Sequence, residues 1–407
     1  MKIGNFSLAM ILKTRLQLSS LMFLQYFIWG TWYVTLNTYL GESLGFTGTQ
    51  IGLSYGTFAI AAMISPFFVG LVADKFFSTE KVLGTLHILG AVLLMVTAQT
   101  KTFAFFYPSL LLYTLTYTPT MALSNSISFH KMENPSQEFP SIRVLGTIGW
   151  IVANNIIGYL DYGSSVNQLY VGAIASLLLG LYCFSLPHVP PKKQVHASFK
   201  EILGLDALGL LKKPAFLIII LASVLTCIPL SFYYGFTASF LSDIGMNYIA
   251  NKLSMGQVAE ILFLLILPFF LKKYGMKKVF IIGMSAWFIR YLFFSYGDND
   301  SMVWMIYAGI LLHGLCYDFF FVAGQIYVDN EAPSYLKSSA QGMITFATYG
   351  LGMFIGTWFA GQTVDFYTIE GIKNWPQIWI VPAVIAAIVL TLFIFVFKER
   401  NHKNNFR

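Results

Sequence analysis

The chain has 407 residues, of which 57% are apolar and 11% are charged, and its formal net charge is +7. Soluble globular proteins carry about 25% charged residues, and half that fraction leaves too little polar surface to face water. The composition therefore excludes a soluble enzyme, a secreted disulfide scaffold and a disordered chain, and it indicates a polytopic membrane protein.

Twelve stretches are long and apolar enough to cross a bilayer, which takes about 20 residues. In chain order they are residues 16–40, 48–73, 81–99, 103–128, 142–160, 169–187, 214–241, 250–271, 277–297, 301–327, 337–363 and 376–397. The first is longer than the core of a signal peptide, and no small-residue cleavage site follows it. We therefore expect it to be retained as a span.

Lysine and arginine are distributed unevenly around these spans. If both termini are cytoplasmic, the 25 basic residues fall mainly in cytoplasmic segments, and the exceptions in outside loops are Lys101, Lys252 and Lys373. This is the positive-inside pattern, so the sequence predicts a multi-pass protein with both termini in the cytoplasm. Topology thus accounts for the positive charge, and no nucleic-acid partner is expected.

The segment between spans six and seven differs from the other connections. It contains Pro190-Pro191, two lysine pairs and Ser198-x-x-Glu201, which is a capping-box pattern at the start of a helix. It is consistent either with a short amphipathic helix on the cytoplasmic membrane surface or with a flexible linker. We predict a six-helix bundle over residues 1–187, a linker over 188–213 and a second bundle over 214–407.

Short patterns in one half of the chain echo the other half. Tyr117 and Asn125 in span four match Tyr317 and Gln325 in span ten with the same separation. Together with the central linker, this favours two parallel six-helix repeats, which is the major facilitator superfamily architecture. The fold class is therefore an all-α membrane protein of that superfamily. Between spans two and three, Gly70-Leu-Val-Ala-Asp74-Lys75 resembles its cytoplasmic loop signature, although Asp74 and Lys75 could also be an interfacial charge pair.

Four charged residues stand out well inside predicted spans, where charge is costly and usually marks a cavity, a partner or a function. They are Arg143, Glu260, Arg290 and Asp318. Because there are two of each sign, pairing is possible, and Arg290 or Arg143 could hold Asp318 ionised. We interpret Arg290 mainly as a structural charge partner.

Polar side chains share helical faces in three of the spans. Span five places Arg143, Thr147, Trp150 and Asn154 on one face, which suits a polar cavity better than lipid. The other two sets are Gln257 with Glu260 in span eight and His313 with Tyr317 in span ten.

The two carboxyl groups inside predicted spans are candidates for proton coupling. Burial favours the neutral form of a carboxyl, so Glu260, and after it Asp318, could bind and release a proton. No phosphate-cradling G-x-x-x-x-G-K-[ST] motif is present, so we expect a gradient-driven protein rather than an enzyme, with no cofactor and no metal.

Several segments, spread in order from span one to span eleven, resemble the nucleoside:proton symporters of the major facilitator superfamily, and the likeness is nearest to a bacterial branch of nucleoside transporters. The segments are Phe27-Ile-Trp29-Gly-Thr-Trp32, Tyr117-Thr-Pro119, Phe139-Pro-Ser-Ile-Arg143, Leu203-Gly-Leu-Asp206-Ala, Gln257-Val-Ala-Glu260, Tyr317-Asp318-Phe-Phe and Ser339-Ala-Gln341-Gly342-Met. The resemblance implies nucleoside and proton as transported species, alternating access in a bacterial inner membrane, and a monomer.

The resemblance also implies substrate contacts on four spans. They are Arg143, Thr147, Trp150, Gln257, Glu260, His313 and Tyr317. In place of the amide side chains of family members, span seven has Ser231 and Tyr234, and His313 replaces an aromatic hydroxyl. These departures leave open a symporter for another small polar metabolite, such as a sugar or a nucleobase. A transport-inactive sensor and an intramembrane enzyme are further alternatives.

Overall fold

The computed structural model describes residues 2–68, 77–132, 135–190, 205–333 and 336–398. Within these described residues, six long helices occupy the first half of the chain, where apolar residues predominate. They are α1 (Lys2–Gly30), α2 (Gly48–Phe68), α3 (Thr79–Gln99), α4 (Phe103–Lys131), α5 (Pro135–Tyr159) and α6 (Asn167–Cys183).

Six further long helices occupy the second half. They are α7 (Pro214–Asp243), α8 (Ile249–Tyr274), α9 (Met276–Tyr296), α10 (Val303–Glu331), α11 (Lys337–Thr345 continuing through Phe346–Gly352 to Met353–Phe366) and α12 (Trp375–Val396). A two-residue antiparallel hairpin, Thr368–Ile369 with Ile372–Lys373, joins the last two helices. Its turn residues Glu370 and Gly371 both have positive φ, as a type I′ turn requires.

Each predicted span overlaps one of these helices, and the fold is that of the major facilitator superfamily. Within the described residues, seven helices are long and apolar enough to cross a membrane, namely α3 and α7 to α12. The helix α6 is apolar but has 17 residues. The part of predicted span two beyond Phe68, including Gly70, Asp74 and Lys75, lies outside the described residues.

Contacts divide the chain into two compact units. The first comprises Met1–Leu44 with Ile60–Ala197, and the second comprises Gly45–Ala59 with Ser198–Arg407. The boundary near residue 197 falls inside the predicted linker, whose capping-box residues Ser198 and Glu201 lie outside the described part. A 3-10 helix follows at Leu205–Lys212. It buries Ala207 and Leu210 and packs against α7 and α11.

Three of the predicted spans are not uniform α-helices. After α1, the chain turns at Thr31–Thr35 and resumes as a short helical turn followed by a π-helical segment, Tyr39–Ser43. Further π-helical segments interrupt α10 at Asp318–Val322 and α11 at Phe346–Gly352. Single-turn π segments occur often at functional sites, and the one in α10 begins at an ionisable residue singled out from the sequence.

The N-terminus of α2 is capped twice. Thr47 and Gln50 form a reciprocal capping box, in which each backbone N–H donates to the other side chain at 3.1 and 3.2 Å. The carboxylate of Asp365 accepts the backbone N–H groups of Gly48 at 2.5 Å and Thr49 at 2.8 Å, and it also accepts the Thr49 hydroxyl. These partners satisfy donors that a helix start otherwise leaves open.

Glycines spaced four residues apart on α2 let its backbone approach α11 within the second unit. A Cβ at Gly48 would lie 2.7 Å from the Gly361 oxygen, and one at Gly52 would lie 2.1 Å from the Thr357 oxygen. No side chain larger than hydrogen fits at either position. The contact between these helices is therefore made largely of backbone.

We expect Asp365→Ala to lower the stability of the protein by about 1–3 kcal/mol, because it leaves two helix N–H groups and a hydroxyl unpartnered. The midpoint of thermal unfolding in detergent measures the effect. Asp298→Ala is a matched control, since this carboxylate also accepts two backbone N–H groups, those of Asp300 and Met302 at 2.8 Å, but in a loop. An Asp365→Ala midpoint equal to that of the wild type would contradict a stabilising role.

Candidate functional site

The polar face predicted on span five lies on α5 and packs against α1. Arg143 and Thr147 are half-buried and Trp150 is buried. The Arg143 guanidinium lies over the ring of Tyr26, 4.0 Å from its centroid. Gly149 lets the backbones of α1 and α5 lie close together, because a Cβ at this position would lie 2.2 Å from the Phe23 carbonyl oxygen.

Aromatic side chains surround Trp150. Its ring meets that of Trp29 edge-to-face, with centroids 4.9 Å apart, and Tyr33 lies at 6.2 Å. The Trp150 indole nitrogen is buried and donates to none of the described residues, and the side-chain oxygen of Asn154 likewise has no donor among them. The site thus offers an unused donor and an unused acceptor beside flat aromatic faces.

Gln25, one turn before Trp29 on α1, belongs to a closed polar network. Its amide donates to the Thr120 hydroxyl at 2.7 Å, and its oxygen pairs with the His87 ring at 2.9 Å. The Tyr117 hydroxyl donates to the Gln25 backbone oxygen at 2.5 Å. Gln25 therefore connects α1, α3 and α4 through hydrogen bonds.

In the second unit, α8 and α10 approach closely beside Gln257 and Glu260. A Cβ at Gly314 would lie 2.4 Å from the Glu260 nitrogen, and one at Gly256 would lie 3.2 Å from the His313 Cβ. Gln257 is buried and its side-chain oxygen has no donor among the described residues. Glu260 is half-buried.

Asp318 is fully buried at the start of the π-helical segment of α10. Neither carboxyl oxygen has a hydrogen-bond partner among the described residues. The preceding residue, Tyr317, shares a hydrogen bond between hydroxyl groups with Tyr349 of α11.

Arg290 does not pair with Asp318, contrary to the pairing considered from the sequence. The Arg290 guanidinium lies over the Tyr233 ring, 3.4 Å from its centroid, and its Nη1 bonds to His313 Nδ1 at 3.1 Å. Both Arg290 and His313 are fully buried. A buried cation without a partner is costly. Here the Tyr233 ring and the His313 imidazole take the place that a carboxylate partner of Arg290 would have.

The two candidate positions on α7 are used differently. The Ser231 hydroxyl donates to the Cys227 carbonyl at 2.8 Å and packs against α11, where a Cβ at Gly356 would lie 2.4 Å from it. Tyr234 is half-buried, and its hydroxyl lies 3.4 Å from His313 Nε2.

The structure adds residues that the sequence patterns did not single out. Tyr26 and Tyr233 stack on the two arginines, Tyr349 bonds Tyr317, and Gly314 sets the distance between α8 and α10. Tyr26 could have been found, because it stands three residues before Trp29 on the same helical face. The other contacts join residues from different helices.

Comparisons of the sequence and of the structure with known proteins indicate the same family. A family model described as nucleoside H+ symporter matches residues 12–402. The chain is 42% identical to YegT of Escherichia coli (strain K12) over 407 residues, with 96% of each chain covered. It is 36% identical to the xanthosine permease of the same organism, covering 95% of this chain and 96% of that one. The crystal structure of the nucleoside transporter NupG matches with a TM-score of 0.88 at 34% identity, covering 95% of this chain and 100% of that one.

Proposed function

Because the chain belongs to the nucleoside H+ symporter family, we propose that it imports nucleosides together with protons by exposing a binding site alternately to the two sides of the membrane. Proton binding is linked to substrate binding in this proposal. The partners of the protein are the nucleoside and the proton, which it transports, and the lipid bilayer, in which it lies. The protein is a transporter and not an enzyme.

The observation that carries the coupling is the carboxyl group of Asp318. It is fully buried, and none of the described residues offers its oxygens a hydrogen bond. An ionised carboxylate in such a place is strongly disfavoured unless it is paired, so this arrangement suits a protonated carboxyl. Movement of the surrounding helices that admits water or a cation would release the proton.

We propose one set of substrate contacts within each unit. Arg143, Thr147 and Trp150 act in the first unit, and the second unit contributes Ser231, Tyr234, Gln257, Glu260, His313 and Tyr317. A ribose presents hydroxyls to the Glu260 carboxylate or the Gln257 amide. A nucleobase presents a flat face that stacks on an aromatic ring such as Trp150.

The distribution of basic residues supports the placement of the protein. We propose a bacterial inner membrane, with both termini in the cytoplasm, where the excess of lysine and arginine lies. We propose a monomer as the transporting unit, since each unit of the chain already carries its own candidate contacts.

Uptake of labelled uridine, adenosine and xanthosine into proteoliposomes, with and without an inward proton gradient, tests the function. Accumulation that collapses with a protonophore is the expected result. Saturable uptake that does not depend on the gradient would support nucleoside transport but would contradict coupling to protons. Competition by free ribose and by free nucleobase distinguishes nucleoside recognition from that of a sugar or a base.

Replacing Trp150 is expected to weaken nucleoside binding about 5- to 150-fold, because stacking on a base contributes about 1–3 kcal/mol. The dissociation constant of uridine for Trp150→Ala, measured by calorimetry in detergent, gives the effect. Trp304→Ala is the control, since Trp304 is 53% exposed. Equal affinity in the two variants would mean that Trp150 serves helix packing alone.

A further inference from the structure

We propose that the turn between α8 and α9 binds the phosphate group of an anionic phospholipid, whose acyl chains lie along the exposed face of α8. This turn joins two helices that are long and apolar enough to cross the bilayer, so it lies at a membrane surface. The site belongs to the second unit alone, and it does not depend on the proposed transport of nucleosides and protons.

Positive charge is concentrated at this turn. Lys272 and Lys273 lie in the last turn of α8, and Lys277 and Lys278 lie in the first turn of α9. From residue 261 to residue 297 the chain contains no aspartate or glutamate. Lys272, Lys273 and Lys278 are exposed and form no ion pair with any of the described residues. The turn therefore presents three cations without a counter-charge from the described protein.

Two lysines elsewhere in the second unit do have carboxylate partners. The Lys337 ammonium donates to the Asp329 carboxylate at 2.6 Å, and the Lys373 ammonium donates to the Asp243 carboxylate at 2.9 Å. Clusters of basic residues beside a membrane-spanning helix are typical of sites for anionic lipids. An anion from outside the protein can therefore supply the counter-charge at the turn between α8 and α9.

The lysines of α9 lie where the helix itself carries positive charge. A helix N-terminus has a partial positive charge and favours acidic residues in its first turn, but α9 has none there, and its N-cap is Gly275. Lys277 is used within the protein, because its ammonium donates to the carbonyl oxygens of Ile394 and Phe397 at 3.0 and 2.6 Å. A phosphate group at this end of α9 would offset the repulsion between Lys278 and the helix start.

An exposed apolar face runs along α8 and ends at the lysines. Leu262, Leu265 and Phe269 are more than half exposed, and spacings of three and four residues place them on one side of the helix. Among the seven described helices that are long and apolar enough to cross a membrane, α8 has the smallest buried share, 33% of its apolar window. In a bilayer this face is covered by lipid chains.

Lys273 connects the charged turn to this apolar face. Its Nζ lies over two aromatic rings, 5.4 Å from the centroid of Phe269 and 5.2 Å from that of Tyr274. A cation within about 6 Å of an aromatic face is attracted to it. The ammonium is therefore held at the end of the exposed face of α8, where the phosphate of a lipid lies when its chains cover Leu265 and Phe269.

Native mass spectrometry of the full-length protein, titrated with phosphatidylglycerol and with phosphatidylcholine of the same chain length, tests the site. A lysine near a lipid surface contributes about a fivefold gain in affinity, so three lysines give a preference of about 100-fold for phosphatidylglycerol. Equal affinity of the wild type for the two lipids would overturn the proposal. This measurement needs no variant and is independent of transport.

Variants at the three unpaired lysines locate the site. The triple variant Lys272→Gln, Lys273→Gln, Lys278→Gln is expected to bind the two lipids with about equal affinity, whereas arginine at the same three positions should keep the preference. A preference that persists in the glutamine variant would overturn the assignment to this turn. The matched control replaces three other exposed lysines by glutamine, Lys13, Lys101 and Lys212. It loses the same charge and should behave as the wild type, and loss of the preference in this control would assign the effect to net charge and overturn the site.

Competition by soluble phosphates distinguishes a lipid from a free anion. Inorganic phosphate and glycerol phosphate carry the charge of the lipid head group but have no chains to cover α8. We expect neither compound to displace phosphatidylglycerol when it is present at the same concentration as the lipid. Displacement by either compound at that concentration would show that the turn binds free phosphate, and it would overturn the assignment to a phospholipid.

Discussion

Asp318→Asn is expected to abolish accumulation of nucleoside against its gradient while leaving exchange of labelled for unlabelled substrate measurable. An asparagine fits the same space and is neutral, as the buried position requires, but it binds no proton in the relevant pH range. With one proton carried per nucleoside, a gradient of two pH units supports about 100-fold accumulation, since each tenfold step corresponds to about 1.4 kcal/mol. The variant should reach a ratio near one.

Accumulation and exchange measured on the same proteoliposomes decide this prediction, with Glu260→Gln as the matched comparison. Sequence reasoning gave Glu260 two roles, as the first candidate for proton binding and as a substrate contact. Its half-buried position beside Gly314 supports a substrate ligand instead, so Glu260→Gln should raise KM and keep the dependence on the gradient. If Glu260→Gln loses accumulation and Asp318→Asn keeps it, the two roles are reversed.

Gly314→Ala is expected to cause a severe loss of both stability and transport. The added Cβ would lie 2.4 Å from the Glu260 nitrogen and 2.5 Å from the Ala259 carbonyl carbon, and backbone atoms of α8 cannot move aside as a side chain can. Overpacking of this kind costs about 1–3 kcal/mol. Any relief requires α8 to shift, which displaces Glu260 from its position.

The fraction of monodisperse protein after detergent extraction and the rate of uridine uptake measure these two losses. Gly324→Ala is the control on the same helix, because a Cβ there would lie 3.6 Å from Ile344 Cδ1, an ordinary contact. Alanine also favours a helix over glycine by about 1 kcal/mol, so this control should be at least as stable as the wild type. Normal uptake by Gly314→Ala would show that α8 and α10 are not held at this distance.

The helices and the polar face of α5 could be predicted because both depend on local sequence. Runs of apolar residues give the spans, and spacings of three and four place Arg143, Thr147 and Trp150 on one side. The π-helical segment at Asp318 could not be predicted, because hydropathy does not distinguish a π turn from an α turn. The resemblance to a family supplied the substrate class, which residue periodicity alone does not contain.

The partners of the buried ions were the main failure of sequence reasoning. Charge balance made it possible for Arg290 or Arg143 to pair with Asp318, but the Arg290 guanidinium stacks on Tyr233 and bonds His313. Which side chain of one helix meets which side chain of another depends on crossing geometry, and the close approaches at Gly256 and Gly314 set that geometry here. A glycine within an apolar run carries no mark of this role in a single sequence.

The glycine-lined contact between α2 and α11 has a consequence for how easily it opens. Gly48, Gly52 and Gly361 present smooth backbone surfaces to each other, so no interlocked side chains must change rotamer when the helices separate. Within the described residues, the hydrogen bonds between the two helices are concentrated at one end, where Asp365 accepts from the first backbone N–H groups of α2. Separation of these helices would therefore break the hydrogen bonds of Asp365 but would require little repacking of side chains.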